Sequence, residues 1–545
     1  MRRLLFLLAG ALMLASCGSG GDGEAGGIGD GDSPATPSGV PTTSPTPTPS
    51  PTPTTAPLAW GPTQDEYDRA AALVADMPVE RQAGQVIVAR YAGLEPPVGQ
   101  IEELGLGGVI LMGDNVESPE QVTHATAAIQ QAGGDRGYPV IIGIDQEGGT
   151  VARIKEPATE FPAYMTLGAS RDTEMAADVA QASGEELRAM GLTMVFAPDA
   201  DVTTGPDDPT IGTRSASSDP QVVAETVQAS LRGYAESGIV AVSKHFPGHG
   251  SVPADSHEEL PVQVASLDEL RARDFVPFRA AVEAGAEAIM VAHIEVDAVE
   301  SGLPASLSPE VIGLLRNELG FEGAVITDAL DMAAISQGYG SGTAAVRALA
   351  AGADIVLMPA DVEAAHTAIV DAVASGELPP ERLAEAATRG VALMLHEASG
   401  PAPDPAAVGS HEDLSYAESL GGVTVVAGAC EGPLVEGVIR VVGGEEADRV
   451  RFDEAAAAAG LTTDVNAPTT VRLLGGTEPS AGDVVVALDR PYPLGASDAP
   501  VKIALYGRTP GAFRALAEVL AGTLPARGTL PVPVDGVERQ GCPAG

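Results

Sequence analysis

The sequence predicts an α/β protein, a (β/α)8 TIM-type barrel followed by a smaller three-layer α/β domain. Three observations predict it: eight short apolar runs between residues 83 and 359, helical stretches between most of them, and a second, shorter alternation after residue 410. The eight runs are 85–89, 108–112, 140–144, 193–197, 240–243, 288–292, 324–327 and 354–358, each bounded by Gly, Pro or Asp. Strands buried on both faces read as continuous rather than alternating apolar runs, which is the pattern of a parallel sheet. Between them, 174–190, 221–236, 267–284 and 309–319 are Ala-rich and amphipathic at helical length. Strand, helix, strand repeated eight times argues for a closed barrel, with a long open doubly wound sheet as the runner-up. Two further helical stretches fill 360–398, and a Pro/Gly-rich joint follows at 399–410. Beyond it, runs at 423–426, 438–442, 471–474, 484–488 and 503–506, with a helix at 510–520, predict the second domain over 411–545.

Ahead of the barrel domain, placed at 58–398, the chain reads differently. Met1-Arg2-Arg3, an apolar run over 4–14 and Leu14-Ala15-Ser16-Cys17 have the order of an export signal over 1–17. The apolar run is far short of the ~20 residues a membrane span needs. The Cys placed directly after small residues resembles a bacterial lipobox, which implies lipidation of Cys17 and a lipid anchor on the outer face of the cell membrane. Residues 18–57 are Gly/Ser/Asp-rich and then Pro/Thr-rich, with nothing to bury, and read as a disordered tether. Cys430 and Cys542 remain, free or paired with each other; paired, they would close a loop of about 110 residues.

Charge narrows the function. With 30 Lys+Arg against 75 Asp+Glu the chain carries a formal charge of -45, which repels phosphate backbones and excludes nucleic-acid binding as a function. Contact with a membrane is expected only through the lipid anchor. Lys occurs only at 155, 244 and 502, so a Lys inside a motif is informative.

A barrel carries its chemistry on the loops that leave the C-terminal ends of its strands. Those ends read Asp145-Gln146-Glu147 after the third run, Asp199 and Asp201 after the fourth, Lys244-His245 after the fifth, His293 after the sixth and Asp328 after the seventh. Four of the eight His, at 245, 249, 257 and 293, and one of the three Lys fall within 50 residues. Solvated loop charges would show no such clustering of scarce types. The loops of the second domain hold no comparable cluster, which places the chemistry in the barrel.

The sharpest string is Lys244-His245-Phe246-Pro247-Gly248-His249-Gly250, followed by Asp255-Ser256-His257. It resembles glycoside hydrolase family 3 in its β-N-acetylglucosaminidase branch, and the likeness covers roughly residues 65–535. Met77-Pro78-Val79-Glu80-Arg81 is similar to the family's opening helix. Ile144-Asp145-Gln146-Glu147-Gly148-Gly149 with Arg153, Phe196-Ala197-Pro198 with Asp201, Ile211-Gly212-Thr213-Arg214-Ser215, Met290-Val291-Ala292-His293 and Ile326-Thr327-Asp328 follow in the family's order. Ala504-Leu505-Tyr506-Gly507 and Gly528-Thr529-Leu530-Pro531-Val532 resemble its second domain.

The resemblance implies a retaining β-N-acetylglucosaminidase acting on short glycans or muropeptides. Asp328 would be the nucleophile and His257, oriented by Asp255, the proton donor; Asp145, Arg153, Arg214, Lys244 and His245 would bind the sugar. Retaining cleavage needs a carboxylate on one face of the anomeric carbon and an acid on the other, and a two-residue spacing lets Asp255 reach the His257 ring. Asp331 reads as a first-turn acid of the next helix, and His249 and His293 as groups supporting the site. No cofactor is expected, and no metal: 85–91 offers no His-x-His pair, and the Phe246-Pro247-Gly248 between His245 and His249 keeps them off one helical face. A monomer is expected. A phosphorylase using the same residues and a glycan-binding lipoprotein without activity are the alternatives. Ala216 and Thr203 depart from the family's usual aromatic and Asn, as does the loop 204–210, which leaves the aglycone side open. Trp60 is the sole Trp, so no stacking platform for a long polysaccharide is evident.

Overall fold

A computed structural model describes residues 57–476 and 481–543. The expected export signal, Cys17 and all but the last residue of the tether lie outside the described residues. Eight strands, β1 (Ile87–Arg90), β2 (Gly108–Leu111), β3 (Ile141–Ile144), β4 (Met194–Val195), β5 (Val240–Phe246), β6 (Ala288–Val291), β7 (Ala324–Thr327) and β8 (Val356–Leu357), form one sheet in the order β7-β6-β5-β4-β3-β2-β1-β8. Every neighbouring pair is parallel. The sheet curls until its edges meet: Ile326 bridges Ile355 in parallel, and the Thr327 amide donates to the Ile355 carbonyl at 3.0 Å. That contact excludes the open doubly wound sheet.

The strand limits differ from those predicted at two functional places. Gln85 ends the helix Val79–Gln85 rather than opening β1, because its side-chain amide donates to the Gly105 carbonyl at 2.6 Å and its oxygen accepts from Tyr138. β5 runs on through Lys244 and His245, so both project from a strand and not from a loop. The helix expected over 267–284 is two helices, Leu267–Ala272 and Phe275–Glu283. Pro277 has no amide to offer the Arg273 carbonyl, and the break falls at Arg273. The long helices Thr173–Ala189 and Pro220–Ser237 are capped by Asp172 and Asp219, whose carboxylates accept amides of the first turn.

In the second domain β9 (Thr424–Ala427), β10 (Val438–Gly443), β11 (Thr462–Thr463), β12 (Thr469–Leu474), β13 (Val484–Ala487) and β14 (Val501–Ala504) lie in the order β9-β14-β13-β12-β10-β11. All pairs are parallel except β9 with β14. Val484 and Val486 face the helices Glu446–Ala458 and Pro510–Ala521; Val485 and Ala487 face Met165 and Ala169 of the barrel and Leu530, Val532 and Val534 of the closing segment. The second cover of this sheet is therefore a barrel helix (Tyr164–Ser170) and extended chain, not a helical layer of its own. Cys430 and Cys542 are joined, 112 residues apart in sequence. No helix of the described residues is long and apolar enough to cross a membrane.

Candidate active site

The C-terminal ends of the barrel strands surround a cavity of about 260 Å³, lined by Asp145, Arg153, Arg214, Lys244, His245, His257 and Asp328 with Met112, Met290 and Met358 among its apolar walls. β3 leads into a short hairpin, Gln146–Gly148 against Val151–Ala152. On extended chain Asp145 and Glu147 share one face and Gln146 the other. Gln146 accordingly turns away to accept the amides of Arg153 and Ile154 and to donate to the Ile154 carbonyl, which fixes the return strand and brings Arg153 back to Asp145.

The two carboxylates differ in what they have left to offer. Glu147 is buried: Arg214 holds it with Nε at 2.8 Å and Nη2 at 2.8 Å, and Lys244 Nζ lies 2.6 Å away. Burial alone would raise its pKa, yet Arg214 and Lys244 hold it far below the carboxylate range. Lys244, 2 % exposed, also reaches Asp145 Oδ1 at 2.7 Å; burial would lower its pKa, but the two carboxylates raise it and keep the ammonium charged. Asp145 keeps Oδ2 toward the cavity, with Arg153 Nη2 at 3.5 Å. A carboxylate with a free lone pair beside fixed cations suits sugar hydroxyls.

β4 and β5 supply the next layer. The Asp201 carboxylate accepts from His245 Nδ1 at 2.6 Å and from the His249 amide at 2.5 Å. That assigns the proton to Nδ1 and leaves His245 Nε2, 3.2 Å from Arg214 Nη2, as an acceptor. Burial and the adjacent Asp201 push Asp199 well above the carboxylate range, whereas the His245 imidazole outweighs burial and lowers Asp201. Asp199, Asp201 and His245 bring ligand atoms within 4.8 Å of one another. Arg214 already stands 3.8 Å from Asp199, so the donor set has its own positive charge and does not suit a dication.

His257 and Asp255 sit on the loop after β5. Asp255 Oδ1 accepts both the His257 amide at 2.9 Å and the ring Nδ1 at 2.7 Å, leaving Nε2 as the free nitrogen. Partial burial would raise Asp255, but those two bonds lower it, so it remains a carboxylate. The His257 ring is 63 % exposed, held by its neighbour and otherwise open to the cavity. Below it, buried His249 shares a 2.8 Å bond between Nε2 and Ser256 Oγ.

Asp328 ends β7, anchored by its amide to the Val291 carbonyl at 2.9 Å, with Oδ1 accepting the Ala329 amide at 2.8 Å. Burial would raise its pKa; His293, His245 and that amide together bring it below the usual value. His293 donates from Nε2 to the Ala329 carbonyl at 2.9 Å and accepts Ser306 Oγ at Nδ1, while burial lowers its own pKa. The floor of the cavity thus presents an ionised carboxylate, backed by the buried His293 imidazole.

All seven cavity residues singled out in the sequence meet here, with Asp255 directly behind His257. Glu147 and Asp201 were given no role in the sequence, although their two-residue spacing from Asp145 and Asp199 marks the same face of extended chain. One expectation is corrected. Asp331 caps no helix: Met332 precedes Ala333–Ser336, and Asp331 instead pairs with Arg90 at 3.4 Å on the cavity rim. Ala216 is buried, with its carbonyl packed against Gly168, and does not line the cavity.

The family model of the glycosyl hydrolase family 3 N-terminal domain matches residues 79–393. A β-hexosaminidase, LpqI, of Mycobacterium tuberculosis is 33 % identical over 411 residues, 74 % of this chain and 98 % of that one. β-Hexosaminidase A of Pseudoalteromonas piscicida is 36 % identical over 317 residues, and the chain spans 53 % of that relative's length. The solved structure of a family 3 β-N-acetylglucosaminidase from Paenibacillus sp. FPU-7 shares 31 % identity and a TM-score of 0.76 over 84 % of this chain and 99 % of that one. With the barrel, the carboxylate at the end of β7 and the family match over more than half its length, the chain belongs to glycoside hydrolase family 3 and is a glycoside hydrolase.

Proposed function

We propose that the protein is a retaining β-N-acetylglucosaminidase that removes terminal β-linked N-acetylglucosamine from short glycans or muropeptides. The observation that carries this reading is the pairing, across one cavity, of an ionised carboxylate at Asp328 with an imidazole whose Nδ1 is tied to Asp255. The names of the relatives, β-hexosaminidases and a β-N-acetylglucosaminidase, support the choice of sugar.

In the first step an Asp328 oxygen forms a bond to the anomeric carbon as the bond to the aglycone oxygen breaks, and that oxygen takes the proton from His257 Nε2. In the second, His257 Nε2 takes a proton from water, whose oxygen attacks the same carbon and releases Asp328. Asp255 holds Nδ1–H through both steps and stabilises the imidazolium. Asp145, Arg153, Lys244, Arg214 and His245 hold the sugar, their mutual ion pairs orienting them before it arrives. We also propose that the chain is exported and tethered by lipid at Cys17, with the Pro/Thr-rich segment as spacer; Cys17 is outside the described residues.

The test is turnover of an aryl β-N-acetylglucosaminide. Asp328→Ala lowers kcat by on the order of 10⁴-fold or more, and a 2-fluoro sugar labels wild-type Asp328. Labelling of Asp331, or full activity of Asp328→Ala, overturns the reading.

A further inference from the structure

We propose that Arg490, from the second domain, is a positioning residue for the sugar site: it clamps the loop that carries Thr210 and Arg214 into the cavity. The proposal rests on the sugar-binding reading above.

The loop between β4 and Arg214 has no regular structure up to a single turn at Gly212–Arg214, and Asp208 is its organiser. Asp208 is 1 % exposed. Its Oδ1 accepts the amides of Thr210 at 3.0 Å and Ile211 at 2.9 Å; its Oδ2 accepts the Gly212 amide at 3.0 Å and the Thr203 hydroxyl at 2.8 Å. These bonds shape the turn from within but leave its outward carbonyls, those of Asp208 and Pro209, to be met from outside. Arg490 meets both, with Nη1 2.8 Å from the Asp208 carbonyl and Nη2 3.3 Å from that of Pro209. A planar fork spanning two carbonyls fixes orientation as well as distance. The guanidinium lies flat on Gly212, whose φ is +53° and where a Cβ would stand 2.6 Å from Arg490 Nε, so the glycine is needed both for the turn and for the clamp.

The rest of the loop is tied on either side. The Pro531 carbonyl of the second domain accepts Ser217 Oγ at 2.5 Å and the Ser218 amide at 3.3 Å. In the other direction the Thr204 amide and hydroxyl donate to the Gly250 carbonyl at 2.9 and 3.1 Å, on the loop that bears Asp255 and His257. Arg214, whose Nη2 bridges Glu147 and His245, hangs between these ties. The second domain, which lends no side chain to the cavity lining, thereby sets how firmly one wall of it is held.

Arg490→Ala is expected to raise KM for an aryl β-N-acetylglucosaminide about 10-fold with kcat within about twofold, because the loop must be ordered at the expense of substrate binding. Amide exchange across 204–214, where the Asp208 carboxylate protects three amides, is expected to quicken. Arg490→Lys keeps the charge and stem but cannot span both carbonyls, so it gives a smaller rise in KM at wild-type Tm. A KM within about twofold of wild type in both variants, or unchanged exchange across 204–214, overturns the clamp. If the wild-type protein turns over no β-N-acetylglucosaminide, the functional reading fails, and the exchange measurement alone still decides the clamp.

Discussion

At the N-terminal end of the barrel, just before β8, buried Asp354 accepts Arg316 at 2.6 Å and the Val325 amide at 2.9 Å on one oxygen, and Arg382 at 2.6 Å and Arg389 at 3.1 Å on the other. At the C-terminal end a similar set of acids and cations surrounds Asp145, but there Asp199 Oδ2, His249 Nδ1 and Arg153 Nε have no hydrogen-bond partner and Asp145 Oδ2 has only Arg153 at 3.5 Å. Both ends bury opposite charges. One cluster is complete and solid, while the other encloses a cavity and keeps donors and acceptors in reserve. The difference teaches that buried ion pairs by themselves do not mark a site; unspent hydrogen-bonding capacity around an open volume does.

Replacing Asp354 sharpens this most. Asp354→Ala leaves Arg316 without a carboxylate partner and Arg382 and Arg389 with only Glu385, at 2.9 Å from each, and is expected to cost about 3–5 kcal/mol of stability, read by denaturant unfolding, while kcat/KM of the folded fraction stays at the wild-type value. Loss of activity without loss of stability would erase the distinction between the two ends.

Asp145→Ala is expected to do the reverse. Lys244 retains Glu147 at 2.6 Å, and Arg153, which loses only a 3.5 Å contact, is partly exposed to water, so Tm hardly moves. Loss of charged hydrogen bonds to the sugar lowers kcat/KM about 10²-fold, as steady-state kinetics would record. A large fall in Tm with unaltered kinetics would make Asp145 a second Asp354.

Glu287 offers the finest distinction, since it lies at the same end as Asp354 but lacks its arginines. Its side chain is 16 % exposed, with the Ala241 amide at 3.3 Å and His396 at 3.8 Å. Burial raises its pKa to about 7, against smaller lowering by His396 and the amide and a further rise from Glu397. A carboxyl raised in the folded state stabilises it fully only below the unfolded value near 4.5. Stability is therefore lost as pH climbs from there to about 7, by about 3 kcal/mol. Glu287→Gln should flatten Tm between pH 5 and 7 relative to wild type; an unchanged slope would show that Glu287 does not titrate there.

The barrel was legible because each strand is buried on both faces and so reads as an unbroken apolar run, as at 141–144 and 324–327. The Asp255–His257 contact was legible because it is local: two residues of chain suffice to bring carboxylate and ring together. The strand-end polarity after the third to seventh runs followed from the same logic, since a parallel barrel points all those ends one way.

What lay beyond the sequence depends on residues far apart in it. Asp354 and Asp145 both sit beside barrel strands; three arginines, two from the helix Pro380–Glu397 and one from the π-helical segment Leu314–Glu318, complete the first, and nothing local to either signals that. Asp331 looked like a helix acid until Arg90, 241 residues earlier, was placed beside it. Taken alone, the sequence determined the strand count, the local Asp255–His257 contact and the scarce cations that mark the site, because burial periodicity and short-range geometry act over a few residues. Ring closure, the division of acids into finished and unfinished clusters, and the hold of Arg490 on the 203–214 loop were decided only by tertiary structure, because each requires groups that only the closed barrel and its packed second domain bring within a few ångströms.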